Sequence, residues 1–289
     1  MTTSINRQKL NILLFCNKPL KSKDAGTIIE HINAFQNYSK HNIVCFSSAG
    51  SYPVNLDLNN FDALIIHYSC YLLNDYYITP EGKKHISDFK GLKILFLQDE
   101  YRKINQLHDM INYLGINILY TCIPDAEIDK VYPISKLPNL KKINNLTGYI
   151  PESLLTLTPP LIAERPIDVG YRSRKLPYWY GKLAVEKWKI VDDFLLHTKN
   201  EHLKCNLSYE ENKRLYGEKW LQFVQSCKTM LGVESGSSVL DFTGELEETV
   251  EKYQAFHPFS TFEKVSEKFL VGYDGNVTMN QISPRCFEA

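Results

Sequence analysis

In the first half of the chain, short runs of β-branched and apolar residues recur, each followed by a polar turn and a stretch with helical spacing. The runs lie at 10–17 (LNILLFCN), 42–47 (NIVCFS), 61–69 (FDALIIHYS), 92–99 (LKILFLQD) and 116–122 (INILYTC). They are hydrophobic at nearly every position rather than at alternate ones, which predicts strands covered on both faces. Between the first two, DAGTIIEHINAFQNY sets Ile28, Ile32 and Phe35 at helical spacing behind Thr27 and Glu30, a capping-box pair. Strand, helix, strand in that order builds a parallel sheet through right-handed crossovers.

The texture breaks between 135 and 165, where SKLPNLKKINNLTGYIPESLLTLTPPLIAER carries four prolines and few strong periods. This predicts the end of a first domain, residues 1–150, and a linker over 151–163. From 164 to 289 the alternation resumes. RPIDVGYRSR reads as strand and turn, WYGKLAVEKWKIVDDFLLHT as an amphipathic helix, and HLKCNLS as a strand. ENKRLYGEKWLQFVQSCKTMLG follows as a helix ending at Gly232, VESGSSVLDFTGE as strand and loop, TFEKVSEKFL as a helix and VTMNQIS as a strand. The expected fold class is α/β, with two doubly wound, Rossmann-like domains. The sequence stops at QISPRCFEA with a helix just begun. The expectation is therefore that the second domain is incomplete and that the chain is a truncated, inactive form.

Composition narrows this picture. A chain of 289 residues with 44% hydrophobic content can bury sizeable cores. Thirty-three basic residues balance thirty-three acidic ones, so no global field gathers nucleic acid or anionic lipid. The expected partners accordingly include no nucleic acid, while peripheral membrane contact is left open. The seven cysteines are scattered without a CxxC pair, which fits reduced, buried thiols in a cytoplasmic protein and neither a disulfide framework nor a metal site. The apolar run at 12–16 is too short for a signal-peptide core, and no segment approaches the ~18 apolar residues of a membrane span.

Ligands of open α/β sheets bind beyond the carboxyl ends of the strands, so the residues that follow each strand are the ones to weigh. Three of them, His67, Asp99 and Glu100, are candidates for acid–base work. The competing uses are a structural, hydrogen-bonded histidine and, for Asp99, an N-cap on the next helix. In the second half, Arg172 and Arg174 stand with Gly170 and Lys175 in the expected turn between a strand and its helix. Helix N-terminal N–H groups joined by guanidinium groups suit a diphosphate, although no GxGxxG or Walker pattern is present and a solvated turn is the alternative. Gly236, Ser237 and Ser238 offer close backbone approach and hydroxyls, or a plain turn. Arg285 and Glu288 open the last helix, where a glutamate can bind a vicinal diol or simply complement the helix dipole.

Three segments, RPIDVGYRSRKLPYWYGKLAVEKW, RLYGEKWLQFVQSCKTMLGVESGSSVLD and NQISPRCFEA, together resemble the donor-side half of bacterial GT-B glycosyltransferases, in the broad group-1 class that includes the spore-protein-like branch. The resemblance is strongest over 164–289. It implies an acceptor-side domain and a donor-side domain facing a cleft, with glycosyl transfer from a nucleotide-diphosphate sugar to an acceptor hydroxyl. The partners it implies are that donor and a carbohydrate or glycolipid acceptor of bacterial surface polysaccharide synthesis, with no cofactor beyond the donor substrate. Glu288 would contact the ribose, Arg172 and Arg174 the leaving diphosphate, and Asp99 or Glu100 would serve as base in an inverting enzyme. The commoner group-1 pattern has two glutamates separated by seven residues; here Asn280 stands at the partner position before Glu288. The rival readings are a non-catalytic sugar- or nucleotide-binding scaffold of the same fold and a sugar-nucleotide epimerase.

Overall fold

The computed structural model describes residues 9–19, 26–47, 49–53 and 55–289. The beginning of the chain, 1–8, and the start of the expected first helix at Asp24 and Ala25 lie outside the described residues. Six strands, β1 (Asn11–Phe15), β2 (Asn42–Phe46), β3 (Ala63–Ile66), β4 (Leu92–Phe96), β5 (Ile118–Thr121) and β6 (Lys141–Asn144), form one parallel sheet in the order β2-β1-β3-β4-β5-β6. Helices α1 (Gly26–Tyr38), α2 (Pro80–Asp88), α3 (Ile104–Leu114) and α4 (Asp125–Val131) connect the strands. The five expected strands are all present, and β6 adds a sixth within the segment read as the end of the first domain. Thr27 lies inside the first turn of α1 rather than ahead of it, so it does not cap that helix as the spacing predicts.

The continuous hydrophobicity of the strands has its predicted cause. Along β1, β3 and β4, Ile12, Leu14, Ala63, Ile65 and Phe96 pack with Ile32 of α1 on one face, while Leu13, Phe15, Leu64, Ile66 and Leu95 enter a larger cluster on the other. Alternate residues of a strand point to opposite faces, so a sheet covered twice needs apolar residues at every position. Each fully buried aliphatic side chain contributes about 1.5–3 kcal/mol.

A second parallel sheet holds β7 (Ile167–Arg172), β8 (Cys205–Ser208) and β9 (Cys227–Met230) in the order β8-β7-β9, with α5 (Lys182–His197) and α6 (Gly217–Ser226) between its strands. Here the expected helix over 211–232 is corrected: α6 stops at Ser226, and the next four residues pair with β7 through Ile167↔Cys227, Val169↔Thr229 and Gly170↔Met230. Sheet pairing, a long-range interaction, overrides a locally helical pattern. Gly170 belongs to β7 and not to a phosphate turn; a methyl group there would collide with Cys227 Sγ and Met230 Sδ. The strands expected in VESGSSVLD and VTMNQIS reduce to two isolated bridges, Ser235↔Gln281, antiparallel, and Arg102↔Asp241, parallel. Further along, α7 (Glu245–Phe256), α8 (Phe262–Val265) with a π turn over Ser266–Leu270, and α9 (Arg285–Glu288) complete the chain.

The two halves are joined through the loop after β4. Asp241 N–H donates to Tyr101 O at 2.8 Å, Asn105 N–H donates to Phe242 O at 3.0 Å, and Arg102 forms an ion pair with Glu247 of α7. Trp179, Val239, Leu240, Leu246 and Val250 share one apolar cluster with Leu64 and Leu95 of the first sheet. Among the described residues, no helix is long and apolar enough to cross a membrane.

Candidate functional site

The carboxyl ends of both sheets open on a cavity of about 290 Å³. From the first half it receives Gly26 and Thr27 at the start of α1, Gln98 and Asp99 after β4, and Thr147 after β6. The second half supplies Arg172 and Arg174 after β7, Lys187 from α5, Arg214, Tyr216, Gly217 and Trp220 at the start of α6, and Ser235, Gly236, Gln281, Arg285 and Glu288. Such a crevice beyond the strand ends is where open α/β sheets hold their ligands.

Of the three acid–base candidates, only Asp99 reaches this cavity. It adopts a left-handed backbone with φ 62°, and its Oδ1 accepts a 3.0 Å hydrogen bond from Tyr101 Oη. The capping use is overturned, because α3 starts five residues later with Lys103 at its cap. Glu100, one residue on, turns into the core, where its carboxylate accepts hydrogen bonds from Thr121 and Tyr132. Burial raises its pKa to about 7 against the pull of both hydroxyl donors. It does not line the cavity, which removes it as a base.

His67 is also buried. Its Nε2 lies 2.8 Å from His31 Nδ1, and its Nδ1 accepts the Ser69 amide at 3.0 Å. An N–H pointing at Nδ1 fixes the neutral tautomer, with the proton on Nε2 shared toward His31. Ser69 Oγ in turn accepts the Asn17 amide at 2.9 Å, so the network stitches the ends of β1 and β3 together. Burial lowers His67 to about 3 and His31 to about 4. His67 is thus a structural histidine rather than a catalytic one.

The expected diphosphate turn is divided by the structure. Arg172 donates through Nη1 to Tyr171 O and Asn206 O and through Nη2 to Asn206 Oδ1, each at 2.8 Å, and stacks 4.2 Å over Phe223. Its two Nη groups are thus committed to the strand ends, while its buried Nε has no hydrogen-bond partner. Arg174 is exposed and makes no hydrogen bond or ion pair among the described residues. The N-terminus of α5 is closed to a ligand: Asp274 Oδ2 accepts Lys182 N–H and Ser238 Oγ accepts Leu183 N–H, both at 3.3 Å. Ser238 is therefore a cap, and Ser237, wholly buried, shares its single hydroxyl proton between the main-chain carbonyls of Tyr180 and Val239. Neither serine lines the cavity. Gly236 does, with φ +108°, where a Cβ would strike Met279 O; only glycine fits.

What the turn loses, α6 supplies. Its N-cap, Tyr216, makes no side-chain capping bond, so the first-turn N–H groups carry the positive end of the helix dipole toward a cavity wall built of Tyr216, Gly217 and Trp220. Arg214 stands just ahead of it, held at 2.7 Å by Glu211, and Arg285 lies 5.8 Å over the Trp220 ring. Trp220 Nε1 donates to Glu288 Oε2 at 2.7 Å, and burial raises the Glu288 carboxyl above its ordinary range.

Lys187 was missed by the strand-end logic. It occupies the apolar stripe of α5 with Leu183 and Val191, buried residues spaced four apart from it, and a lysine in such a stripe is a signal readable in the sequence. Burial lowers its pKa to about 8, opposed by the charge of Asp99 and reinforced by Arg285 and Arg174. Among the described residues, no group of three or more His, Cys, Asp or Glu side chains is placed to hold a metal ion.

No protein-family model matches the chain, and no curated protein matches it. Two solved structures are similar at 12% identity, each over 84% of this chain and 71% of the other. One is an alpha-glucosyltransferase in complex with UDP and a 13-mer DNA containing an HMU base, with a TM-score of 0.43. The other is an alpha-glucosyltransferase in complex with UDP-glucose and DNA containing an abasic site, with a TM-score of 0.41. Both are complexes with DNA, and the exclusion of nucleic acid as a partner is corrected accordingly. A balanced total charge is an average, and it coexists here with a local gathering of Arg174, Lys187, Arg214 and Arg285.

Proposed function

We propose that the cavity binds a nucleotide-diphosphate sugar and that the protein transfers its glycosyl group to an acceptor hydroxyl. The observation that carries this reading is the convergence of Arg174, Lys187, Arg214 and Arg285 with the uncapped N-terminus of α6 around one cavity, with the carboxylate of Asp99 on its other side. Cations and free N–H groups match a diphosphate leaving group, whose charge grows as the glycosyl bond breaks. Glu288, oriented by Trp220, is suited to a ribose diol. Asp99 is the base that takes the acceptor proton if the reaction inverts.

The division into an acceptor-side domain (1–150), a linker (151–163) and a donor-side domain (164–289) is part of the same proposal, as is membership of the group-1 class. No resident cofactor is included; the donor carries its own leaving group. The acceptor class that the resemblance implies is a bacterial surface polysaccharide or glycolipid precursor, and DNA belongs in the acceptor panel beside them. Calorimetric titration with UDP, GDP and their sugar conjugates, followed by a glycosyl-transfer assay on those acceptors, tests the reading. Absence of binding by every nucleotide sugar overturns it; binding with interconversion of the free nucleotide sugar favours the epimerase reading, and binding with no turnover of any kind leaves the scaffold reading.

A further inference from the structure

Gln281 is 6% exposed and lines the cavity, yet neither its side-chain nitrogen nor its side-chain oxygen has a hydrogen-bond partner. Its main chain is already spent: Gln281 N–H donates to Ser235 O at 2.8 Å, and Ser235 N–H donates to Gln281 O at 2.9 Å. That bridge, tightened by the absence of a side chain at Gly236, fixes where the amide stands. The neighbouring amide behaves differently, since Asn280, which is less buried, hydrogen-bonds Glu234. From the first half of the chain, Gln98 lines the same cavity, and its Oε1 is likewise buried and unpartnered. Buried polar groups are almost always paired, so the orphaned amide of Gln281 and the orphaned carbonyl of Gln98 in one cavity call for a ligand that pairs them.

Their chemistry restricts that ligand. Both orphaned carbonyl oxygens, Gln281 Oε1 and Gln98 Oε1, require hydrogen-bond donors, which an ionised phosphate lacks. A nucleobase presents its donors along one edge of a plane. A pyranose carries hydroxyls around its whole ring, each able to donate and accept, and can satisfy carbonyls contributed from two sides as well as the Gln281 amide N–H. We propose that Gln281 and Gln98 together form the subsite for the transferred sugar, which rests on the nucleotide-sugar reading above, and that they determine which sugar is accepted.

The test compares the wild-type chain with Gln281→Met and Gln98→Met by calorimetry, using UDP, UDP-glucose, UDP-galactose, GDP and GDP-mannose as probes. Methionine keeps the length and removes the polar atoms. Each variant is expected to lose about tenfold in affinity for the nucleotide sugar that the wild type prefers while holding the bare nucleoside diphosphate within about twofold. The Gln281→Met apo protein is expected to melt no lower than wild type, because an unpaired buried amide has been replaced by an apolar side chain; this readout separates a ligand-holding residue from a structural one. Gln281→Leu, likewise apolar and of similar volume, serves if the methionine variant fails to fold, with the same expected split. Equal losses for nucleotide sugar and nucleotide, or none, overturn the sugar subsite while leaving the nucleotide-sugar reading in place. Failure of the wild type to bind any of the nucleotide sugars overturns that reading, and the subsite with it.

Discussion

The indole N–H of Trp220, in the first half of α6, donates a 2.7 Å hydrogen bond to Glu288 Oε2, 68 residues away in α9. This bond leaves the other carboxylate oxygen for a ligand and fixes the rotamer from which it is offered. Glu288→Gln is expected to raise the donor KM about tenfold with kcat changed little, because binding shared by ground and transition states is lost. Trp220→Phe should move KM in the same direction by less, since it frees the carboxylate without removing it. Initial rates against donor concentration check both.

Asp99 and Glu100 are adjacent in sequence and opposite in role. Asp99→Asn is expected to lower kcat by about 10²–10⁴ with donor affinity intact, as for loss of a general base. Glu100→Gln, whose amide can serve the Thr121 and Tyr132 hydroxyls in place of a protonated carboxyl, should leave kcat within about twofold of wild type. A normal kcat in Asp99→Asn removes the base assignment.

Arg172 and Arg174 are separated by what each guanidinium already touches. Arg174→Ala is expected to weaken nucleoside diphosphate binding by roughly 1.5–3 kcal/mol, the loss of one charge-assisted contact, and to leave binding of the phosphate-free nucleoside unchanged. Arg172→Ala removes its bonds to Asn206 and its stacking on Phe223, so it should lower stability. Urea unfolding beside calorimetry distinguishes the two.

Lys187 faces Asp99, Arg174 and Arg285, and burial brings its pKa to about 8. Its charge, and the diphosphate affinity that depends on it, should decline as pH rises through about 8. Lys187→Arg, with a guanidinium that stays charged in this range, should abolish that decline. A pH series of nucleoside diphosphate titrations reads the effect.

The His31–His67 pair makes stability depend on pH in the acid range. Both folded pKa values, about 4 and about 3, lie below the unfolded value of about 6.5, so the unfolded chain binds more protons. Stability from the pair is full above about pH 6.5 and is lost as pH falls through the folded values. Glu100, raised to about 7, contributes with the opposite sign: its stability is present below the ordinary glutamate range and lost as pH rises through about 7. Glu100→Gln should therefore steepen the rise of stability with pH between about 4.5 and 7. Urea midpoints across that range measure it.

The hydrophobic pattern located the five strands of the first sheet that it named because both faces of that sheet are covered, and continuous apolar runs have few other uses. It also marked the strand ends as the place for chemistry, and there Asp99, Arg174, Arg285 and Glu288 do meet around one cavity. At 227–230 the local pattern continued a helix, but pairing with β7 made a strand, since the partner lies some sixty residues earlier in the sequence.

The sequence by itself determined that the chain is α/β with buried parallel strands, and which polar residues follow them. Tertiary structure alone decided which of those residues face the cavity. The backbone turns through a left-handed conformation at Asp99, with φ 62°, so Asp99 reaches the cleft while Glu100 enters the core. A helix N-terminus attracts anions only if nothing in the fold caps it, so α6 is open where α5 is closed by Ser238 and Asp274. Hydrogen-bond satisfaction is a property of assembled neighbours, and the unpaired amide of Gln281 and carbonyl of Gln98 therefore emerge only when the two halves of the chain are brought together.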